Sequence, residues 1–381
     1  MFVNFLSVLC LITDQLLQNF EKRDVWINFM SNTKRILFSL LGLIVRMDRF
    51  IHRILFILIL LSGSSFLKGQ SASFRSYAQQ DPQFTQYMFN PVYFNVAAVG
   101  NEQAWVSTVN IRNQWVNLPG APVSQSLTSH LPIYKLHGGA GITIVNDIAG
   151  QQRNTGAMFM YAYQKQFRTS TLSFGAGAGF IQQSIDGSKL ITPTGNYENN
   201  VNHNDPNLPV TLSTELLPDA SAGIYFFGKN LTAGIAASHL LSPILNGKDA
   251  TINDVQYYPG GNVYISYKFE VNDKIDITPN VLYKTDFVES IVDVNTIFTY
   301  NRNILAGVSF RGYANSQYDA VALIAGLNIT DKWRVSYSYD ITTSALNTVS
   351  SGSHELVLRY SIPVAKPRVG KMINNPRYLY H

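Results

Sequence analysis

The amino-acid sequence predicts an all-β protein, a transmembrane antiparallel β-barrel of about 14 strands. Three observations lead there: segments alternating apolar and polar residues from about position 103 to 362, turns of two alternating lengths, and a composition poor in charge and rich in aromatics. Charged residues make up 14% of the 381, against roughly 25% in an average soluble domain, while Tyr and Phe number 21 and 22.

The formal charge of +5 sits at one end of the chain. Residues 1–78 hold nine Lys+Arg and four Asp+Glu, which leaves twenty of each sign from position 79 onward. A neutral body has no basic excess to neutralise phosphates, so nucleic acid is not an expected partner. The only cysteine, Cys10, precedes the alternating region, which rules out a disulfide framework and a cysteine metal site.

Taken in order, the first feature is Met47-Asp-Arg-Phe-Ile-His-Arg53, followed by eight apolar residues to Leu61 and the small residues Ser62-Gly-Ser-Ser65. This is the basic n-region and short h-region of a secretory signal over 47–78, and eight apolar residues are too few for a helix that spans a bilayer. Ser76-Tyr-Ala78 fits a small-x-small cleavage site before Gln79, with Gly69 and Ala72 as alternatives. Residues 1–46 stand in front of this signal as an extension, and the expected translation start is Met47; the rival reading is an uncleaved anchor.

Residues 79–101 are aromatic and Asn/Pro-rich without strand alternation. They are expected to lie in the periplasm or to fold into the lumen as a plug, with Asp81, Pro82, Gln83, Phe84, Tyr87, Asn90 and Pro91 as the plug or partner-binding candidates.

The barrel is expected over 102–362. Its strands fall near 103–115, 122–131, 138–147, 155–167, 170–184, 219–228, 230–240, 256–270, 274–285, 289–300, 303–312, 318–329, 332–342 and 353–362. Successive residues of an extended chain point to opposite faces. Trp333, Val335, Tyr337, Tyr339 and Ile341 therefore share one face, and Arg334, Ser336, Ser338 and Asp340 the other. A soluble sandwich would be rich in Lys and Glu outside; here the polar positions are mostly Ser, Thr, Asn and Gly, which suits a polar lumen inside lipid. Tight turns at 168–170, 228–230, 271–274, 301–303 and 330–332 alternate with longer ones at 147–154, 185–218, 241–254, 312–317 and 342–353. Short turns belong to the periplasmic side of such barrels, and an even strand count puts both termini there. Residues 363–381 form a basic periplasmic tail.

Catalytic chemistry finds little support. Ser353 and His354 are adjacent strand residues that project to opposite faces and cannot pair as nucleophile and base. There is no Gly-Xaa-Ser-Xaa-Gly elbow or phosphate loop, and the seven histidines lack metal-ligand spacing. No catalytic residue, metal or cofactor is expected. Arg334, Asp340, Glu355 and Arg359 project inward from the last two strands, as a lumenal charge network or a docking surface. Gly175, Gly177 and Gly179 line the inner face of the fifth strand and leave room for close backbone approach by a plug or partner.

Several stretches carry a family resemblance. Asp81-Pro-Gln-Phe-Thr-Gln-Tyr-Met-Phe-Asn-Pro91, Arg112-Asn-Gln-Trp115 with Gly120-Ala-Pro122, Val145-Asn-Asp147 with Gly150, Tyr337-Ser-Tyr-Asp340 and Gly352-Ser-His-Glu355 run in order along the chain. Together they resemble the PorP/SprF family of Bacteroidota outer-membrane proteins, over about residues 80–362. Arg112, Trp115, Asp147, Gly352 and His354 are the motif positions singled out. A departure is Asn95-Val-Ala-Ala-Val-Gly100, where the family often has a second Asn-Pro and an Ala-Gly end. The resemblance implies an integral outer-membrane protein of the type IX secretion and gliding apparatus. It also implies other secretion components as partners, and a secreted adhesin whose gliding-type C-terminal sorting domain the barrel receives. No small-molecule substrate is expected on this reading. The rivals from other classes are a diffusion channel or hydrophobic-solute transporter and, more distantly, a surface hydrolase.

Overall fold

The computed structural model describes residues 81–366, apart from 199, 206–207, 242–243, 246–254, 257–258, 288 and 314–317. The expectations for 1–46, for the signal at 47–78 and for most of the tail lie outside the described residues.

Fourteen antiparallel strands close into a barrel. They are β1 (Ala104–Asn113), β2 (Val123–Ile133), β3 (Gly138–Ala149), β4 (Gln152–Gln166), β5 (Ser170–Asp186), β6 (Leu212–Gly228) and β7 (Leu231–Ser238). Next comes β8 (Gly260–Tyr267), which continues past Lys268 as Phe269–Asn272, then β9 (Ile275–Thr285), β10 (Ser290–Tyr300) and β11 (Ile304–Tyr313). The last three are β12 (Tyr318–Asn328), β13 (Trp333–Thr342) and β14 (Ser353–Pro363). Each strand pairs with its neighbours in sequence, and β1 closes the ring on β14 from Ala104↔Pro363 to Asn113↔His354. Closure satisfies the strand edges that an open sheet would leave bare.

The alternation has the expected sense. On β13, Trp333, Tyr337 and Ile341 are exposed outside, while Ser336, Ser338 and Asp340 are at most 2% exposed inside. The outward residues carry an apolar belt that includes Ile111, Leu127, Ile144, Phe159, Ile235, Val294 and Leu323. Burial of such a belt in hydrocarbon, rather than against a second sheet, is what holds this wall in a membrane.

The two ends of the barrel differ. One bears the short turns and the open ends of β1 and β14, and is called here the terminus end; the other is the loop end. The turn expected over 147–154 is a correction: β3 and β4 stay paired to Ala149↔Gln152, leaving only Gly150 and Gln151 between them. Its Gln, Arg and Asn residues have the polarity of a loop but are strand residues, Arg153 facing outward and Asn154 the lumen. The same applies to β5 and β6, which pair out to Asp186↔Leu212 and shorten the expected 185–218 loop at both ends.

Candidate functional site: the lumenal plug and its seat

Residues 81–102 lie inside the barrel. Pro91 starts a single helical turn, Pro91–Phe94, flanked by 3-10 turns at Tyr87–Phe89 and Val96–Ala98. Such short turns leave backbone groups over, and wall side chains take several of them: Glu355 the amides of Thr85 and Gln86, Asn262 the Phe94 carbonyl, Gln164 the Val99 carbonyl and His130 the Gly100 amide. Phe84, Tyr87, Val92, Val96, Ala97 and Val99 are almost wholly buried. The chain runs from the loop end, where Asp81 meets His239, to the terminus end, where Glu102 meets Arg359.

Glycines in the wall admit the plug's backbone. A Cβ on Gly175 would lie 2.4 Å from Cα of Ala97, and one on Gly139 would lie 2.5 Å from Cα of Gly100. Gly223 and Gly234 make room in the same way for the side chain of Asn95. The Asn95 amide donates to the carbonyls of Ile224 (3.1 Å) and Ile235 (3.2 Å), and its oxygen accepts from the Ala97 amide. Of the three inward glycines on β5, Gly175 performs the close approach to backbone, Gly177 faces the Val96 side chain, and Gly179 is crowded by β4 instead.

Near the loop end the wall presents a buried charge cluster that grips Thr85 and Gln86. The Glu355 carboxylate accepts both successive backbone amides, from Thr85 at 2.7 Å and Gln86 at 3.1 Å. The Thr85 hydroxyl donates to Asp340 at 2.7 Å and accepts from Arg112 and Arg311, each at 3.0 Å. One donor and two acceptor positions are all a hydroxyl has, so this one is saturated. Arg112 also pairs with Asp340 (2.7 Å) and Glu355 (3.2 Å), and Arg311 with Asp293 (2.9 Å), Asp340 (3.5 Å) and Asp319 (3.8 Å). Arg112 and Glu355 are 1% and 0% exposed, a depth at which a charge persists only with partners.

A second contact ties the plug's first described residue. His239 stands between Asp81 at 3.0 Å and Asp219 at 3.1 Å. Burial opposes the charge of each group, but the mutual attraction wins, bringing the Asp81 pKa down to about 2 and raising that of His239 to about 10. At the terminus end Glu102 pairs with Arg359, whose guanidinium also donates to the Phe89 carbonyl, and Arg334 lies over the Phe89 ring. Burial there again opposes the carboxylate's charge, and Arg359 outweighs it to lower the Glu102 pKa.

The four inward charges expected to form one network are therefore split between two. Asp340 and Glu355 belong to the loop-end cluster, and Arg334 and Arg359 to the terminus end. Six residues of strand separate Arg334 from Asp340, about 20 Å at roughly 3.3 Å per residue, too far for contact. The cations that complete the loop-end cluster are Arg112, singled out only as a motif position, and Arg311, which with Asp293 and Asp319 was missed. A signal was present: each is a charged residue at inward parity in an alternating strand. Asp219, at inward parity on β6, carries the same mark, whereas Glu102 and His239 lie outside the strands and carry none.

Among the remaining candidates, Pro82 accepts from Lys284, and Gln83 is buried beside Asp81. Asn90 bonds to Thr128 and Asn110, and Pro91 starts the helical turn. Trp115 and Gly352 adopt positive φ, 49° and 85°, where the β1–β2 and β13–β14 loops join through the Trp115 amide and Ser353 hydroxyl and through Val116 and Gly352. His354 faces outward against Tyr337 and Tyr339, away from buried Ser353. Asp147 accepts from Ser124 on the loop-end inner wall. Among the described residues no group of three metal-ligating side chains gathers.

A closed barrel with an apolar belt and a lumen filled by its own N-terminal segment defines an integral outer-membrane protein. The chain belongs to the PorP/SprF family, type IX secretion system membrane proteins, whose sequence profile matches residues 76–360. It is thereby a membrane component of type IX secretion. No curated protein matches the chain. Among solved structures it is similar to the Ralstonia pickettii toluene transporter TbuX, with 10% identity, 74% of this chain and 94% of that chain covered, and a TM-score of 0.45. It is similar also to the CymD monoaromatic hydrocarbon channel (11%, 73% and 92%, 0.43) and to a Pseudomonas aeruginosa FadL homologue (10%, 75% and 95%, 0.41).

Proposed function

We propose that this protein is a non-enzymatic, permanently plugged barrel of the type IX secretion and gliding machinery. It is exported by the signal at 47–78, and it assists the export or surface anchoring of a large adhesin through that adhesin's C-terminal sorting domain. In this reading the terminus end faces the periplasm and the loop end the exterior, as the turn lengths suggest.

The observation that carries the reading is the seat of Thr85 and Gln86. Withdrawing the plug would take two backbone amide donors from Glu355 and the shared Thr85 hydroxyl from Asp340, Arg112 and Arg311, and each hydrogen bond to a charged group is worth about 1.5–3 kcal/mol. A plug held so firmly is structure rather than a gate. The working surfaces are then the two ends and the lipid-facing wall, which is what a docking component needs. Deleting the gene tests this: at least one type IX cargo should be lost from the cell surface, and normal display of every cargo would overturn it.

The competing reading is a diffusion channel or hydrophobic-solute transporter, favoured by the polar inner face of the wall. Purified protein in planar bilayers separates the two. The plugged barrel stays silent, whereas steady conductance without a partner would establish the channel.

A further inference from the structure

The plug does not fill the lumen evenly. Between its residues 81–96 and strands β3 to β9, with Asn262 and Lys284 on the last two, lies a cavity of about 140 Å³ toward the loop end. Val92 and Val96 of the plug and Met158, Met160 and Ile181 of the wall give it an apolar floor, and Asp147 and Asn154 give it a polar side. From these features we infer a binding site for a small organic cation, a primary amine on a single ring or short apolar body.

Three observations converge on that chemistry. The first is Gly156, which faces the cavity from β4. Gly139, Gly175, Gly223 and Gly234 are occupied by plug atoms closer than 3 Å to an added Cβ, but Gly156 would meet nothing nearer than 3.6 Å. The wall is thus cut back here without the plug using the space.

The second is size. An apolar cavity of about 150 Å³ holds one benzene ring, so the floor here takes a body of that bulk and excludes drug-sized molecules. The third is charge. His239 is engaged by Asp81 and Asp219, and Lys284 by the Pro82 carbonyl and the Phe94 ring. Asp147 takes its hydrogen bond from the neutral Ser124, and among the described residues no ion pair includes it. A carboxylate on the rim of an apolar recess, with no cation of its own, selects an ammonium group over a neutral one.

The test uses the full mature chain in lipid nanodiscs, with 2-phenylethylamine as probe and 2-phenylethanol as its neutral counterpart, read by titration calorimetry. The amine is expected to bind at least tenfold more tightly than the alcohol. Asp147→Asn should erase that preference, and Gly156→Leu, whose Cβ meets nothing nearer than 3.6 Å and whose side chain fills the recess, should abolish binding of both. Absence of amine binding to the unaltered protein would overturn the inference, as would binding that survives Gly156→Leu. If the leucine variant does not fold, Asp147→Asn decides alone: an unchanged tenfold preference overturns the site, and its loss supports it.

Discussion

At the scale of single residues, the lumen is organised by carboxylates that hold backbone rather than ligand. Glu355 takes two successive plug amides and one arm of Arg112. Glu355→Gln keeps the shape but replaces an ionised acceptor, leaving Arg112 less than fully paired. It should destabilise the protein by about 3 kcal/mol, read from urea unfolding in lipid vesicles; a change within about 0.5 kcal/mol would show that the cluster does not hold the plug. The Asp81–His239 contact adds a pH dependence whose direction follows from the two pKa values. Asp81, lowered from 3.8 to about 2, contributes fully above about pH 4, and the contribution fades as pH falls toward 2. His239, raised from 6.5 to about 10, contributes fully below about pH 6.5, and the contribution fades as pH rises through 10. A nitroxide label at Pro82→Cys should therefore be least mobile between about pH 4 and 6.5 and loosen on either side, and His239→Gln should remove the alkaline limb. Mobility that stays constant from pH 5 to 11 would contradict the tether.

At the scale of elements, the sequence was legible wherever physical chemistry imposes a period. Lipid outside and polar atoms inside force an alternation of two, and all fourteen strands can be read from it. Legibility failed where polarity has two causes. Arg153, Asn154 and Thr155 are polar as loops are, yet they pair on β3 because β4 outruns the apolar belt. The plug follows no period, so its Asn and Pro residues mark it as irregular without telling where it goes; the inward glycines gave the better hint. Gly175 is the sharpest case, because its missing Cβ is what lets Ala97 reach the wall. Gly175→Val should unseat the plug while the barrel survives, and limited proteolysis should cut within 81–102 and spare the strands. Gly156→Val, at a position with room for the side chain, should leave the plug as protected as in the unaltered protein. Equal protection in both variants would mean that the close approach at Gly175 is dispensable.

For the whole molecule, four of the motif stretches meet near one seam. Register places Arg112 opposite Glu355 on the strands that close the ring, and Asp340 opposite Ser353 beside them. The plug's Thr85 bridges the same residues, so the plug, the first strand and the last two strands are joined at a single buried cluster. Within this cluster every charge has a partner of opposite sign. Residues 81–102 are then as much part of the wall's electrostatics as of its packing, and removing them has two consequences. The loop-end cluster loses its saturating hydroxyl and two amide donors, so the ring is weakened at its closing seam. The lumen also loses the residues that fill it, and a 14-stranded wall with a polar inner face should then admit water and ions. Deleting residues 81–102 behind an intact signal should lower the temperature at which the barrel loses its heat-modifiable mobility, and should turn a silent protein into a conducting one in planar bilayers. A deletion variant that remains silent while correctly folded would show that something other than the plug closes the pore, and the permanent-plug reading would have to be abandoned.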